Sequence, residues 1–127
     1  MMQHVKRYSV EALVVLALRV EEALGRVTEQ VAILNDAHAR CDPLEDASLA
    51  RWDRFFGQEM EWLAARERYL TSCSEGASSR SERRRIRRLL DDLEQLRAVL
   101  TAGERLVDAM TERNSKRWCV ARKSSDH

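Results

Sequence analysis

The sequence predicts an all-α fold, an elongated antiparallel three-helix bundle of coiled-coil type, on three observations. Apolar residues recur at spacings of three and four through most of the chain. The two places where that spacing breaks carry helix-capping residues. The composition, 44% hydrophobic and 34% charged with four glycines and one proline, is that of long amphipathic helices. One domain is expected from 127 residues: a polar lead-in over 1–8, a bundle over 9–113 with helices near 10–41, 43–73 and 80–113, and a basic tail over 114–127. At about 1.5 Å per residue each helix would be roughly 45–50 Å long.

The first helix opens after Ser9, a plausible N-cap. Val10, Ala17, Leu24, Val31 and His38 alternate with Leu13, Val20, Val27, Leu34 and Cys41 as the a and d positions of a heptad seam. Leu16, Ala23 and Ala37 widen the stripe. Val14, Val15 and Leu18 make the opening turns apolar almost all round, which requires a bundle of three or more helices or a partner over this end. Leu24, Val27, Val31 and Leu34 are the expected core residues here.

Asp42-Pro43-Leu44-Glu45 reads as an N-cap, a proline at the first helical position and a glutamate closing a capping box. The second helix would start there after a very short turn. It holds five of the seven aromatic residues, Trp52, Phe55, Phe56, Trp62 and Tyr69, around a stripe of Leu49, Phe56, Leu63 and Leu70. Trp52, Phe56, Leu63 and Leu70 are assigned to the core. With two apolar faces this helix should lie sandwiched between the other two, with Glu59 and Arg66 at the boundary and Gly57 accommodating a neighbouring side chain.

Residues 71–79 form the clear loop, with Gly76 as C-terminal cap and Ser79-Arg80-Ser81-Glu82 as a second capping box. Ile86, Leu89, Leu93, Leu96, Leu100, Gly103, Val107 and Met110 follow at unbroken heptad spacing, and Leu89, Leu93, Leu96 and Leu100 complete the expected core. Turning the chain about residues 76 and 77 places Gly103 opposite the region of Trp52. From Asn114 the pattern lapses into a basic tail with Lys116, Arg117, Arg122 and Lys123. It reads as a frayed end or as a docking peptide anchored by Trp118.

Charge narrows the function classes. Lys plus Arg number 22 against 21 Asp plus Glu, so no global field recruits nucleic acid or anionic lipid. The local exception is Arg80, Arg83, Arg84, Arg85, Arg87 and Arg88, at the helix end whose dipole already disfavours cations. Three readings follow. The arginines pair with acids, Arg87 with Asp91 and Arg88 with Asp92 at i,i+4 and the rest with other helices; or they meet an acidic protein surface; or they meet nucleic-acid phosphates, which the lack of interleaved aromatics argues against.

Other chemistry is thinly represented. His38 and Cys41 share a helical face but lack the further ligands of a zinc site. No phosphate loop or catalytic ordering appears, and carboxylates such as Glu59, Glu61 and Glu67 are dispersed among arginines, so no enzyme activity, cofactor or small-molecule substrate is expected. Serines around residues 72–81 read as caps and loop polarity, with phosphorylation as the alternative. Val10 to Val20 is too short and too charged to span a bilayer, so no membrane association is expected. Three cysteines, Cys41, Cys73 and Cys119, suit a reducing, cytoplasmic setting, and Cys41 and Cys73, at opposite ends of one helix, lie too far apart to bridge.

Trp62-Leu63-Ala64-Ala65-Arg66-Glu67-Arg68-Tyr69-Leu70, followed by Gly76, resembles the end of the first helix of a spectrin-type repeat. Ile86, Leu89, Leu90, Leu93 and Leu96 resemble the start of its second. The likeness covers Phe55 to about Met110. It implies a three-helix coiled-coil module of the cytoskeletal or scaffold kind, with the first helix here in the role of the repeat's third, and it carries over no binding residues.

The function expected from these readings is that of a non-catalytic helical adaptor or scaffold subunit. It would bind a protein partner or a second copy of itself through Val14, Val15 and Leu18, with Trp118 as a further anchor. The alternatives are a nucleic-acid-associated protein using Arg80 to Arg88 with the tail, and a small helical chaperone or assembly factor.

Overall fold

The computed structural model describes residues 10–77 and 79–125, with side chains as far as residue 116. Within them the chain forms three helices, α1 (Val10–Ala39), α2 (Asp46–Glu75) and α3 (Arg80–Ser125), and no strand. The all-α three-helix bundle is therefore the observed fold. α2 runs antiparallel to the other two, so α1 and α3 are parallel neighbours.

Both α1 and α2 pack closely on α3, whereas α1 and α2 approach each other less. The shared helix is thus α3, not the aromatic-rich α2 that the two apolar faces suggested. Side-chain volume explains the difference. Trp52 and Phe55 fall on the side of α2 that carries Glu59, and Glu59 reaches across to Arg26 of α1 at 2.6 Å. Bulky rings hold those two axes apart. Toward α3, Phe56 meets Gly103, where a missing side chain lets the helices close.

The core follows from this arrangement. Val27, Leu34, Phe56, Leu63, Leu70, Leu89, Leu93, Leu96 and Leu100 are buried, while Leu24, Val31 and Trp52 are half-buried and pack against them. In α1 the buried residues are Leu13, Leu16, Val20, Ala23, Val27, Leu34 and Ala37, so the seam is turned from the expected a and d rows toward d and g. The a row faces outward between α1 and α3: Val10 is half-exposed, and Ala17 and Val31 line surface grooves there. Gly57 is not a point of close approach either, since a Cβ there would meet nothing within 4 Å.

The link between α1 and α2 also departs from its expected form. The amide of Asp42 donates to the Ala37 carbonyl at 2.9 Å and that of Cys41 to the His38 carbonyl at 3.1 Å, the paired bonds of a Schellman ending, with Cys41 at φ 58°. Asp42 is consumed by this stop. Its carboxylate accepts from Arg40 Nε at 3.0 Å, and it stands four residues before Asp46, the first residue of α2, outside the cap position. The Arg40 guanidinium pKa is raised, chiefly by that hydrogen bond and by the nearby charge of Asp36. Helix α2 starts later than expected, with Glu45 at the cap position and no side-chain capping bond.

The second capping site behaves as the sequence predicts, Ser79 Oγ accepting from the Glu82 amide at 3.1 Å. At the far end α3 runs past residue 113 through Ser125. Arg113 donates to His38 Nδ1, and Asn114 Nδ2 donates to the Leu44 carbonyl at 2.7 Å and to Asp46 Oδ1 at 3.0 Å. These two side chains bind α3 to the end of α1 and to the link beyond it.

Candidate functional site

The surface feature that draws together the sequence-level candidates is a groove between the N-terminal halves of α1 and α3. Leu13 and Leu89, both buried, form its floor; Val14, Ala17 and Leu18 form the α1 wall, and Arg84, Arg85 and Arg88 the α3 wall. Its volume is about 410 Å³. Val14 and Leu18 are 46% and 57% exposed, so the folded chain does not cover the apolar excess of α1. Val15, 49% exposed, lies outside the groove on the outer face of the same helix.

The arginine cluster is divided by the curvature of α3. Arg84, Arg85 and Arg88 face the apolar groove, while Arg80, Arg83 and Arg87, with Arg84 shared, line a second hollow of about 540 Å³ beside Ser74, Leu90 and Asp91 near the end of α2. All six are exposed. Among the described residues none forms an ion pair, not even the i,i+4 pairs Arg87 with Asp91 and Arg88 with Asp92. Among the described residues the one side-chain hydrogen bond in the cluster runs from Arg83 to the Ala77 carbonyl at 3.4 Å. These charges therefore add to the positive end of the α3 dipole rather than being neutralised at home.

Two acids complete the groove, Glu21 on α1 and Asp92 on α3. Because α1 and α3 are parallel, both lie on the side toward the helix C-termini, and the arginines lie on the other. The groove thus sets an apolar α1 wall, ending in Glu21, against an α3 wall that is cationic from Arg84 to Arg88 and anionic at Asp92. Sequence reasoning had named Val14, Leu18 and the arginines separately. Their meeting depends on the parallel stagger of α1 and α3, which no local pattern encodes; Glu21 carries no mark of its own in the sequence, and Asp92 is marked there only as a helix partner for Arg88.

Other candidates fall elsewhere. His38 Nδ1 accepts from Arg113, since a guanidinium can only donate, and Cys41 is held in the helix stop. Among the described residues no three metal-ligating side chains converge. Cys41 is exposed and Cys73 buried. Glu59 and Glu67 pair with Arg26 and Arg97 across helices, and Arg66 covers the Trp62 ring at 5.2 Å. Trp118 lies outside the residues whose side chains are described. No helix among the described residues is long and apolar enough to cross a membrane.

Comparison with protein-family models, curated proteins and solved structures finds no match to this chain.

Proposed function

We propose that the protein is a non-catalytic helical adaptor or scaffold subunit whose work is done by docking protein against the α1–α3 face. The observation that carries this reading is the apolar wall of Val14 and Leu18, about half exposed beside three arginines without ion pairs. Apolar side chains kept at the surface next to charge are the makings of an interface, with a desolvated centre and a polar rim. A nucleic-acid role would draw on the same arginines, but an apolar floor beside them and two acids beyond them suit a protein surface better than a phosphate backbone.

A photo-crosslinking residue placed at Leu18 in the full chain inside cells tests the reading. Adducts to protein from Leu18, and none from the outward position Ala98 on α3, are expected. No adduct at Leu18 would overturn the proposal. Crosslinks to nucleic acid, with retention on a polyanion that falls steeply as salt rises, would overturn it in favour of the alternative.

A further inference from the structure

The groove between α1 and α3 is self-complementary, and we infer that its occupant is a second copy of this chain, packed antiparallel about a two-fold axis near Val14 and Leu18. This rests on the reading of that face as a protein-docking surface and names the partner.

The argument is one of charge order. A two-fold interface brings the same patch together with itself in reversed order, so each group must find its complement at an equal distance on the other side of the axis. Along this groove the order is Arg84 and Arg85, then Arg88, then Asp92 and Glu21. Arg88 and Asp92 are one turn apart on α3. The stagger of α1 and α3 is fixed by the contact of His38 with Arg113, 75 residues apart in sequence. That stagger puts Arg88 about level with Leu13 and Asp92 about level with Ala17, on either side of the level of Val14 and Val15.

Reversal about that level lays α3 on the partner's α3 and α1 on the partner's α1, so that Arg88 meets the partner's Asp92, a pair that occurs twice. The apolar wall then falls on itself, Val14 and Leu18 against the partner's Val14 and the partner's Leu18. A groove that recognised an unrelated acidic helix would have no use for its own acids at one end. A groove that recognises itself requires them.

The unpaired state of exposed Arg88 and half-buried Asp92 in the single chain fits the same assignment. Arg88 and Asp92 sit at a spacing that permits an ion pair within α3, yet no such bond forms. Both remain available across an interface, where opposite charges fix orientation and like charges exclude the wrong one.

Sedimentation of the full chain across a concentration series, with charge-reversal variants, tests the inference. Wild type is expected to pass from monomer to dimer as concentration rises. Arg88→Glu and Asp92→Arg should each weaken dimerisation on the order of a hundredfold, because each sets like charges face to face twice. Mixed in equal amounts, the two variants should form a heterodimer, since Glu at 88 then meets Arg at 92 and the unaltered Asp92 meets the unaltered Arg88. A change confined to folding within one chain cannot be repaired by mixing, and helical circular dichroism checks that both variants fold.

A wild-type monomer at every concentration, a dimer indifferent to both substitutions, or variants that stay monomeric when mixed would each overturn the inference. Should the chain be monomeric while Leu18 crosslinks to a different protein, the second copy is wrong and the docking reading stands. Absence of any adduct at Leu18 removes both.

Discussion

The ring of Phe56 occupies the space that a side chain at residue 103 would need: a Cβ there would sit 2.6 Å from Phe56 Cζ and 2.7 Å from Cε1. Gly103→Ala sets two effects against each other. Alanine gains about 1 kcal/mol of helix propensity over glycine, whereas overpacking a close-packed core costs about 1–3 kcal/mol. Phe56 is fully buried and has Trp52 and Phe55 rings 6.0 and 5.4 Å away, so it cannot retreat, and the loss wins. The expected net destabilisation is up to about 2 kcal/mol in urea unfolding. Gly25→Ala, at an exposed site where a Cβ meets nothing within 4 Å, should instead stabilise by about 0.5–1 kcal/mol.

Cys41 adopts φ 58° to end α1, a conformation that costs a side-chain-bearing residue about 1–2 kcal/mol. It is exposed, so its side chain returns little packing. Cys41→Gly relieves the strain and loses part of that gain to the entropy of a freer unfolded chain. A net stabilisation of about 0.5–1 kcal/mol is expected, read as a higher urea midpoint at unchanged slope. An unchanged or lower midpoint would mean that Cys41 makes a contribution the helix stop does not account for.

These two positions also show what was legible in the sequence. Gly103 stands in an unbroken heptad row, and a turn centred at residues 76 and 77 places it only in the region of Trp52, one turn from the Phe56 ring it meets, because the length of the α2–α3 turn sets the register and local pattern does not. Asp42-Pro43 carried every local mark of a helix start. The chain nevertheless holds Asp42 in the preceding stop, through the Schellman bonds and Arg40, and begins α2 only at Asp46. Heptad spacing exposed the helices and most of the core. Which helix lies between the other two depended on ring volume in α2 and its absence at Gly103, a tertiary quantity. The candidate site followed suit: its parts were visible singly, and their assembly waited on the α1–α3 stagger.

Asn114 holds the α1–α2 link through two hydrogen bonds, to the Leu44 carbonyl and to Asp46 Oδ1. Asn114→Ala leaves both acceptors near α3 without their donor, at a cost of about 1–2 kcal/mol. Asn114→Asp adds repulsion with Asp46 and should cost more. The diagnostic measurement is amide hydrogen exchange. Protection should fall around residues 44–49, at the start of α2, and stay unchanged in the middle of α3. Uniform loss throughout the chain would show that Asn114 supports the whole bundle rather than the link.

Tyr69 supplies the pH prediction. Burial first, and its hydrogen bond with Cys73 second, raise the phenol pKa above its ordinary value of 10.0. The folded state therefore holds the phenolic proton to higher pH than the unfolded chain does. Between the unfolded and folded values the native state binds more protons, and stability falls as pH rises. The contribution is fully present below pH 10 and is lost as pH climbs through the folded value. Tyr69→Phe has no proton to lose, so its alkaline decline should be shallower than that of wild type, whatever constant offset the missing hydroxyl introduces at neutral pH. Urea midpoints for both proteins in buffers on either side of pH 10 decide the matter: parallel declines would place the phenol in the same environment folded and unfolded, against its position beside Cys73 at the buried end of α2.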